Sequence, residues 1–248
     1  MVQGLEVFPT AAALARGAAE RVAVVLDGAL QAGGNASLAL SGGSTPRSLY
    51  ELLSEPPCRD RIDWTRLHIF WGDERCVPPE SAESNYRMAQ QTLLRHVKIP
   101  PHHVHRMRGE LPPAGAARAY ERELRSALGA GPDEIPRLSL VLLGLGEDGH
   151  TASLFPNTPV LDERRRLIAE VFVERLAASR ITMTFPLLNN ARTVMFLVSG
   201  GSKAAILRSV LQEHRPALPA TGVSPQAGEL FWYLDRDAAS HLTEREIP

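Results

Sequence analysis

The stretch from Leu138 to Pro156 limits what this chain can become. Leu138 to Leu143 is a short, continuous apolar run. Its length suits a strand covered on both faces. Gly144, Gly146 and Gly149 follow. They let the backbone turn sharply and approach a ligand with no Cβ in the way. Asp148 and His150 lie in that turn, Thr151 is placed to cap a short helix, and Pro156 limits that helix. Two titratable side chains therefore stand just past the carboxyl end of a buried strand, which is where ligands bind in open α/β sheets.

The rest of the chain repeats the theme. Leu5–Phe8, Leu67–Trp71 and Leu230–Leu234 read as strands, as do the short apolar runs Ala36–Leu40 and Thr193–Val198. A further strand is expected over Leu167–Val173. Residues 180 to 184 alternate polar and apolar, so Arg180, Thr182 and Thr184 are expected on one face. Between these runs lie helical patterns. Thr10 reads as the cap of a long amphipathic helix that ends at Gly33-Gly34. Others are expected from Pro46 to Leu53, from Asn85 to about His96 behind Ser84, from Pro112 to about Leu128, and from Lys203 to about Leu211. A short helix is expected to close the chain after Asp235. Alternation of this kind indicates an α/β fold with a largely parallel sheet flanked by helices. No linker or shift in composition marks a boundary, so residues 1–248 are expected to form a single domain.

Charge and composition exclude several classes of function. The net charge is −1 over 248 residues, with a pI near 6.7. That lacks the basic face or tail of a nucleic-acid binder. No apolar run approaches membrane-spanning length. The start, Met-Val-Gln-Gly-Leu-Glu, shows neither the basic region nor the apolar core of a secretory leader. Cys58 and Cys76 have no metal-type spacing. A reducing, cytoplasmic setting is the simplest expectation.

Three strand–turn–helix junctions carry glycine beside polar groups. One is Ser41-Gly42-Gly43-Ser44-Thr45-Pro46, with Thr45 as the expected cap and Pro46 at the first helical position. Free hydroxyls, turn N–H groups and a helix N-terminus are the parts of an anion site. They are equally the parts of a tight turn that needs glycine. The second is the central turn. The third, Ser199-Gly200-Gly201-Ser202-Lys203, adds a lysine where a helix start disfavours a cation, which suggests an anion that needs it. A fourth strand end carries Asp73-Glu74-Arg75, which alone reads as a solvated loop.

Two motifs are set aside. Gly144-x-Gly146-x-x-Gly149 matches the dinucleotide fingerprint, but Glu147 and Asp148 would face a pyrophosphate and Pro156 leaves little helix behind it. His102, His103 and His105 invite a metal, but no carboxylate or cysteine is expected to complete a ligand set, and the segment reads as an exposed turn into a short strand.

Taken together, Ser-Gly-Gly-Ser-Thr-Pro, Trp-Gly-Asp-Glu-Arg, Ser-Asn-Tyr, Gly-Leu-Gly-Glu-Asp-Gly-His-Thr-Ala-Ser-Leu-Phe-Pro, Arg-Ile-Thr-Met-Thr and Gly-Gly-Ser-Lys resemble the 6-phosphogluconolactonases, with the motifs in family order. The resemblance implies a Rossmann-like fold of the deaminase and ribose-5-phosphate isomerase type. It implies hydrolysis of 6-phospho-D-glucono-1,5-lactone to 6-phosphogluconate in the oxidative pentose phosphate pathway, with no metal or other cofactor. The resemblance gives His150 the role of base. Beside it, Asp148 is expected to orient the ring or hold its charge, and turn N–H groups or Arg75 to stabilise the oxyanion. Arg75 and Arg180 both stay open as the arginine that holds the phosphate. The implied substrate and phosphate contacts are Gly42, Gly43, Ser44, Thr45, Asp73, Gly146, Arg180 and Lys203. The expected partner is a small phosphosugar lactone, with no nucleic acid and no membrane. Two rivals remain: an aldose–ketose isomerase or deaminase on a sugar 6-phosphate, and a non-catalytic sugar-phosphate sensor. The deaminases carry glutamate at the position of Phe155 and a tyrosine-type residue at Arg75, which counts against the first.

Overall fold

The computed structural model describes residues 4–243. The strands are β1 Gly4–Phe8, β2 Ala36–Leu40, β3 Leu67–Trp71, β4 Asp73–Arg75, β5 Leu140–Leu143, β6 Ile168–Val173, β7 Ala178–Met183, β8 Thr193–Val198 and β9 Glu229–Asp235. The α-helices are α1 Ala11–Gln31, α2 Ser44–Leu53, α3 Cys58–Arg61, α4 Asn85–Thr92, α5 Pro113–Ala127, α6 Phe185–Leu188 and α7 Ala204–Leu211.

Six strands form a parallel sheet in the order β1-β9-β8-β5-β2-β3. Every residue of β2, β5 and β8 is buried, as their largely apolar composition favours. Alternate side chains feed two cores. Leu38, Leu40, Leu140 and Leu142 pack with Leu14, Val22 and Leu26 of α1 and Leu49 of α2. Ala39, Val141, Leu143 and Phe196 pack with Tyr120 of α5 and Leu207 of α7. Thr10 caps α1 through its side chain, which accepts from the Ala13 N–H at 3.2 Å.

The chain leaves β2 toward β3 on one side and β5 toward β8 and β9 on the other. The order therefore reverses between β2 and β5, which opens a crevice at their carboxyl ends. A second, antiparallel sheet, in the order β4-β7-β6, closes that crevice from one side. Ile168, Val171 and Ile181 from this small sheet share one apolar cluster with Val141 and Phe196. The Met183 N–H also donates to the Gly72 carbonyl at 2.8 Å.

Several local expectations are corrected. Thr45 does not cap α2: Gly43 is the cap residue, Ser44 the first helical residue and Pro46 the third. The Thr45 hydroxyl pairs instead with the Ser199 hydroxyl at 3.3 Å. Thr151 caps no helix, because its hydroxyl is spent on the Gly144 carbonyl at 2.9 Å. The expected helix from Asn85 to His96 breaks after Thr92 and resumes as one 3-10 turn over Leu94–His96. Thr184 lies beyond β7 and does not share its face with Arg180 and Thr182. Residues 236–242 form turns rather than the expected helix, and the remainder of that expectation, residues 244–248, lies outside the described residues. Among the described residues, no helix is long and apolar enough to cross a membrane. The reading of the N-terminus falls partly on residues 1–3, outside the described residues.

Candidate active site

The central turn is built to present an imidazole. The Gly146 N–H donates to the His150 carbonyl at 2.8 Å, and the Gly149 N–H to the Gly146 carbonyl at 3.0 Å. Gly149 has φ of +81°, a left-handed conformation open to glycine at no steric cost. Within this loop the Asp148 carboxylate folds back on His150. Its Oδ1 accepts from the His150 backbone N–H at 3.2 Å and pairs with ring Nδ1. The two-residue spacing alone left this contact open, and the fold makes it. The ring also stacks on Phe155, with centroids 4.2 Å apart. Since a carboxylate only accepts, Nδ1 carries the proton and Nε2 is left as the basic nitrogen.

Burial alone would raise the Asp148 carboxyl. The hydrogen bond to His150 and the charges of His150 and Arg175 outweigh it and hold the group below the usual aspartate range. Arg175 makes the second contact, with Nη2 at 2.6 Å from Asp148 Oδ2.

His150 opens into a cavity of about 390 Å³, near the lower end of small-molecule sites, roughly 300–1,000 Å³. Every part of the crevice contributes to its wall. Gly42 and Gly43 come from the β2–α2 turn, Asp73 and Arg75 from β4, Gly146 from the central turn, Arg180 from β7, and Lys203 from the turn before α7. Eight of the eleven predicted positions therefore line one space together. Asp148 stands behind His150. Ser44 and Thr45 open α2 next to Gly43 but are not in the wall. Glu74, the middle of its triplet, turns away: it accepts from the N–H groups of Asn85 and Tyr86, both at 2.8 Å, and so anchors the start of α4.

The cations are arranged for an anion. Arg75 and Arg180 face each other across β4 and β7. Burial and the neighbouring Arg75 push the Arg180 guanidinium down from its ordinary value. Arg75 donates to the Glu83 carbonyl. Arg180 has no ion-pair partner among the described residues, whereas Lys203 lies 3.7 Å from the exposed Glu147.

Three residues, Asn85, Ser153 and Arg175, escaped the sequence reading, and Phe155 entered it only as a departure from the deaminases. Asn85 donates to the Asp73 carboxylate at 3.3 Å and to its carbonyl at 3.0 Å. Ser153 Oγ donates to Asp73 Oδ2 at 2.6 Å, and the Ser153 N–H to Thr182 Oγ1 at 3.1 Å. This network ties the central turn to both strands of the small sheet. Phe155 and Arg175 also line the cavity. Asn85 and Ser153 lie within the Ser-Asn-Tyr and central motifs, which could have marked them, whereas no motif surrounds Arg175.

Two further features lie apart. An open groove of about 920 Å³ runs between residues 157–164, Phe185–Asn189 and residues 216–226, and holds none of these groups. His103 and His105 join His68 in a stacked cluster, with His105 Nδ1 at 3.0 Å from Glu123. A carboxylate thus does reach the histidines, but among the described residues no group of three His, Cys, Asp or Glu side chains is placed to hold a metal.

A parallel α/β sheet with a carboxylate-held imidazole and clustered cations at its switch point defines a site for a small phosphorylated metabolite. The glucosamine-6-phosphate isomerase/6-phosphogluconolactonase family model matches residues 9–232, and the chain belongs to that family. It is 39% identical to a 6-phosphogluconolactonase from a Nostoc species, over 98% of this chain and all of that one. It is 42% identical to a Synechocystis 6-phosphogluconolactonase, over 84% of this chain and 85% of the other. The solved 6-phosphogluconolactonase of Trypanosoma cruzi superposes with a TM-score of 0.86 at 32% identity, covering 97% of each chain.

Proposed function

We propose that this chain hydrolyses 6-phospho-D-glucono-1,5-lactone to 6-phosphogluconate, the lactonase step of the oxidative pentose phosphate pathway. The family membership supports the reaction. The observation that carries the mechanism is the Asp148–His150 pair opening into the same cavity as Arg75, Arg180 and Lys203.

In this reading His150 Nε2 takes a proton from a water molecule. The water oxygen attacks the lactone carbonyl carbon, and the carbonyl electron pair moves onto its oxygen. Arg75 and turn N–H groups stabilise that oxyanion. As the tetrahedral species collapses, the bond to the ring oxygen breaks and His150 returns the proton to that oxygen. Asp148 holds the imidazole tautomer and steadies its transient positive charge. Arg180 and Lys203 hold the phosphate, with Gly42, Gly43, Ser44 and Thr45 at the N-terminus of α2, where N–H groups and the helix dipole favour an anion. Asp73, fixed by Asn85 and Ser153, and Gly146 position the sugar ring.

Phe155 covers the face of His150 where a deaminase would need a carboxylate, which speaks for ester chemistry over amine chemistry. The shared core of the two sheets supports action as one domain, and two free cysteines suit a reducing cytoplasm. The test is an assay with freshly prepared lactone, corrected for spontaneous opening. Acceleration with no ammonia released from glucosamine 6-phosphate supports the reading. Binding of 6-phosphogluconate without acceleration would make the protein a sensor.

A further inference from the structure

We propose that Arg175 is a positioning residue for the His150–Asp148 pair, holding the carboxylate in place and setting the pH range in which the imidazole is free to accept a proton. The proposal rests on the reading of His150 as the base.

Arg175 comes from the small sheet, in the 3-10 turn Glu174–Leu176 between β6 and β7. Ala177 closes that turn in a left-handed conformation, with φ of +46°. The turn delivers the guanidinium to both groups that hold the imidazole. Asp148 spends Oδ1 on His150, and Arg175 Nη2 takes the other oxygen at 2.6 Å. The guanidinium carbon also lies 5.0 Å from the centroid of Phe155, the ring stacked on His150. One side chain therefore restrains the carboxylate at the edge of the imidazole and the aromatic ring on its face. A carboxylate held at one oxygen can rotate; one held at both cannot do so without breaking a charge-assisted bond.

Arg175 could instead be one more phosphate ligand, since it lines the cavity. Its pairing argues otherwise. Arg180 has no ion-pair partner among the described residues, while Arg175 is already committed to Asp148. The other charges on the cavity are Asp73, Arg75, Arg180 and Lys203, with Glu147 at the rim paired to Lys203. Glu174 neighbours Arg175 in the chain. Of these side chains and the dyad, histidine is the type that ordinarily titrates between about pH 5 and 8.

The sign follows from Coulomb's law. A cation beside the pair disfavours a second proton on the imidazole, both directly and by offsetting Asp148. Its removal favours the protonated, inactive ring, so the acidic limb of kcat/KM moves to higher pH. Arg175→Gln should lower kcat about tenfold, as loss of a supporting hydrogen-bond partner does, and should leave KM within about twofold. It should raise the acidic limb by roughly half a pH unit or more. Arg175→Lys, which keeps the charge, should restore the limb while recovering only part of kcat. Melting temperatures and circular dichroism of both variants establish that they fold. An unmoved limb in Arg175→Gln overturns the proposal. So does a KM raised tenfold or more with kcat intact, which would make Arg175 a substrate ligand. His150→Ala separates this from the underlying reading: retained turnover there removes the base itself, whereas an inactive His150→Ala beside an unmoved Arg175→Gln limb removes only the role of Arg175.

Discussion

Gly146 and His150 occupy complementary space: a Cβ added to Gly146 would fall on the His150 ring, against Nδ1, Cε1 and Cγ. The same two residues are bonded through their backbones at 2.8 Å. The glycine is thus required by the approach of the imidazole, not by its own φ. Gly146→Ala should push the ring off Asp148 while the turn still closes. We expect kcat to fall roughly 10²-fold, the scale of a 1 Å misplacement of a reacting group, with circular dichroism unchanged. Wild-type kcat in this variant would mean the ring does its work from another position.

His150→Ala removes the proposed base outright. The expected loss in kcat is roughly 10²–10⁴-fold with little change in KM. The measurement is initial rate against fresh lactone at several pH values, since spontaneous opening accelerates with alkalinity and sets the floor.

Asp148→Asn tests orientation rather than proton transfer. An amide can turn its NH₂ toward Nδ1, which drives the imidazole into the wrong tautomer. It also gives up the charge that Arg175 grips. A fall in kcat of roughly 10²-fold or more is expected, and imidazole chemical shifts should report a changed tautomer. An unchanged tautomer with an unchanged rate would confine Asp148 to shaping the loop.

Much of this architecture could be read from residues alone, because its signals are continuous. Val141 and Leu142 face opposite cores, so β5 carries no polar break; β8 carries none after Thr193, and in β2 the one polar residue, Ser37, is buried and bonded to Ser139. Glycine turns then mark where each strand delivers its end. What was hidden depends on pairing across the chain. The three residues of β4 are too few to show a period, and Asp73-Glu74-Arg75 becomes a strand only because β7 lies opposite. Thr45 and Thr151 have the chemistry of caps, but Ser199 and the Gly144 carbonyl claim their hydroxyls. Arg175 sits in a hairpin with no glycine and finds Asp148 only through the fold.

Arg180 and Lys203 should separate from the catalytic pair in kinetics. Loss of either cation removes charge-assisted bonds to a phosphate remote from the reacting carbon, about 1.5–3 kcal/mol each. Arg180→Ala and Lys203→Ala should therefore raise KM with kcat less affected, and added salt should blunt the difference from wild type. The exposed Glu147 pair costs Lys203 little, since such surface pairs are weak. A pure kcat effect in both variants would move the phosphate elsewhere.

The histidine cluster predicts a distinct acid sensitivity in the fold. Glu123 accepts from His105 Nδ1–H at 3.0 Å, which leaves His105 Nε2 to accept from His68 Nδ1 at 2.9 Å. His68 Nε2 in turn accepts from the Asn35 amide at 3.1 Å. The order of donors is therefore set along the whole row, and an extra proton sets N–H against N–H. Burial, then His103, His105 and His102, push the His68 imidazole down from 6.5 to about 4. The unfolded chain thus binds this proton more readily than the folded one, so stability is full above about pH 6.5 and declines toward pH 4. Carboxylates act lower. Glu163, held down to about 2 mainly by Arg166, loses its contribution only as pH falls below its ordinary 4.5. The melting temperature should accordingly drop between pH 6.5 and 4.5, and His68→Gln should flatten that drop while leaving the steeper fall below it. The His105 N–H is bonded to the Ile69 carbonyl at 2.9 Å beside the edge strand β3, so protection against hydrogen exchange in residues 102–105, relative to the intrinsic rate at each pH, should fall first as the solution is acidified. Equal slopes for the two proteins above pH 4.5 would show that the row bears no net titration on folding.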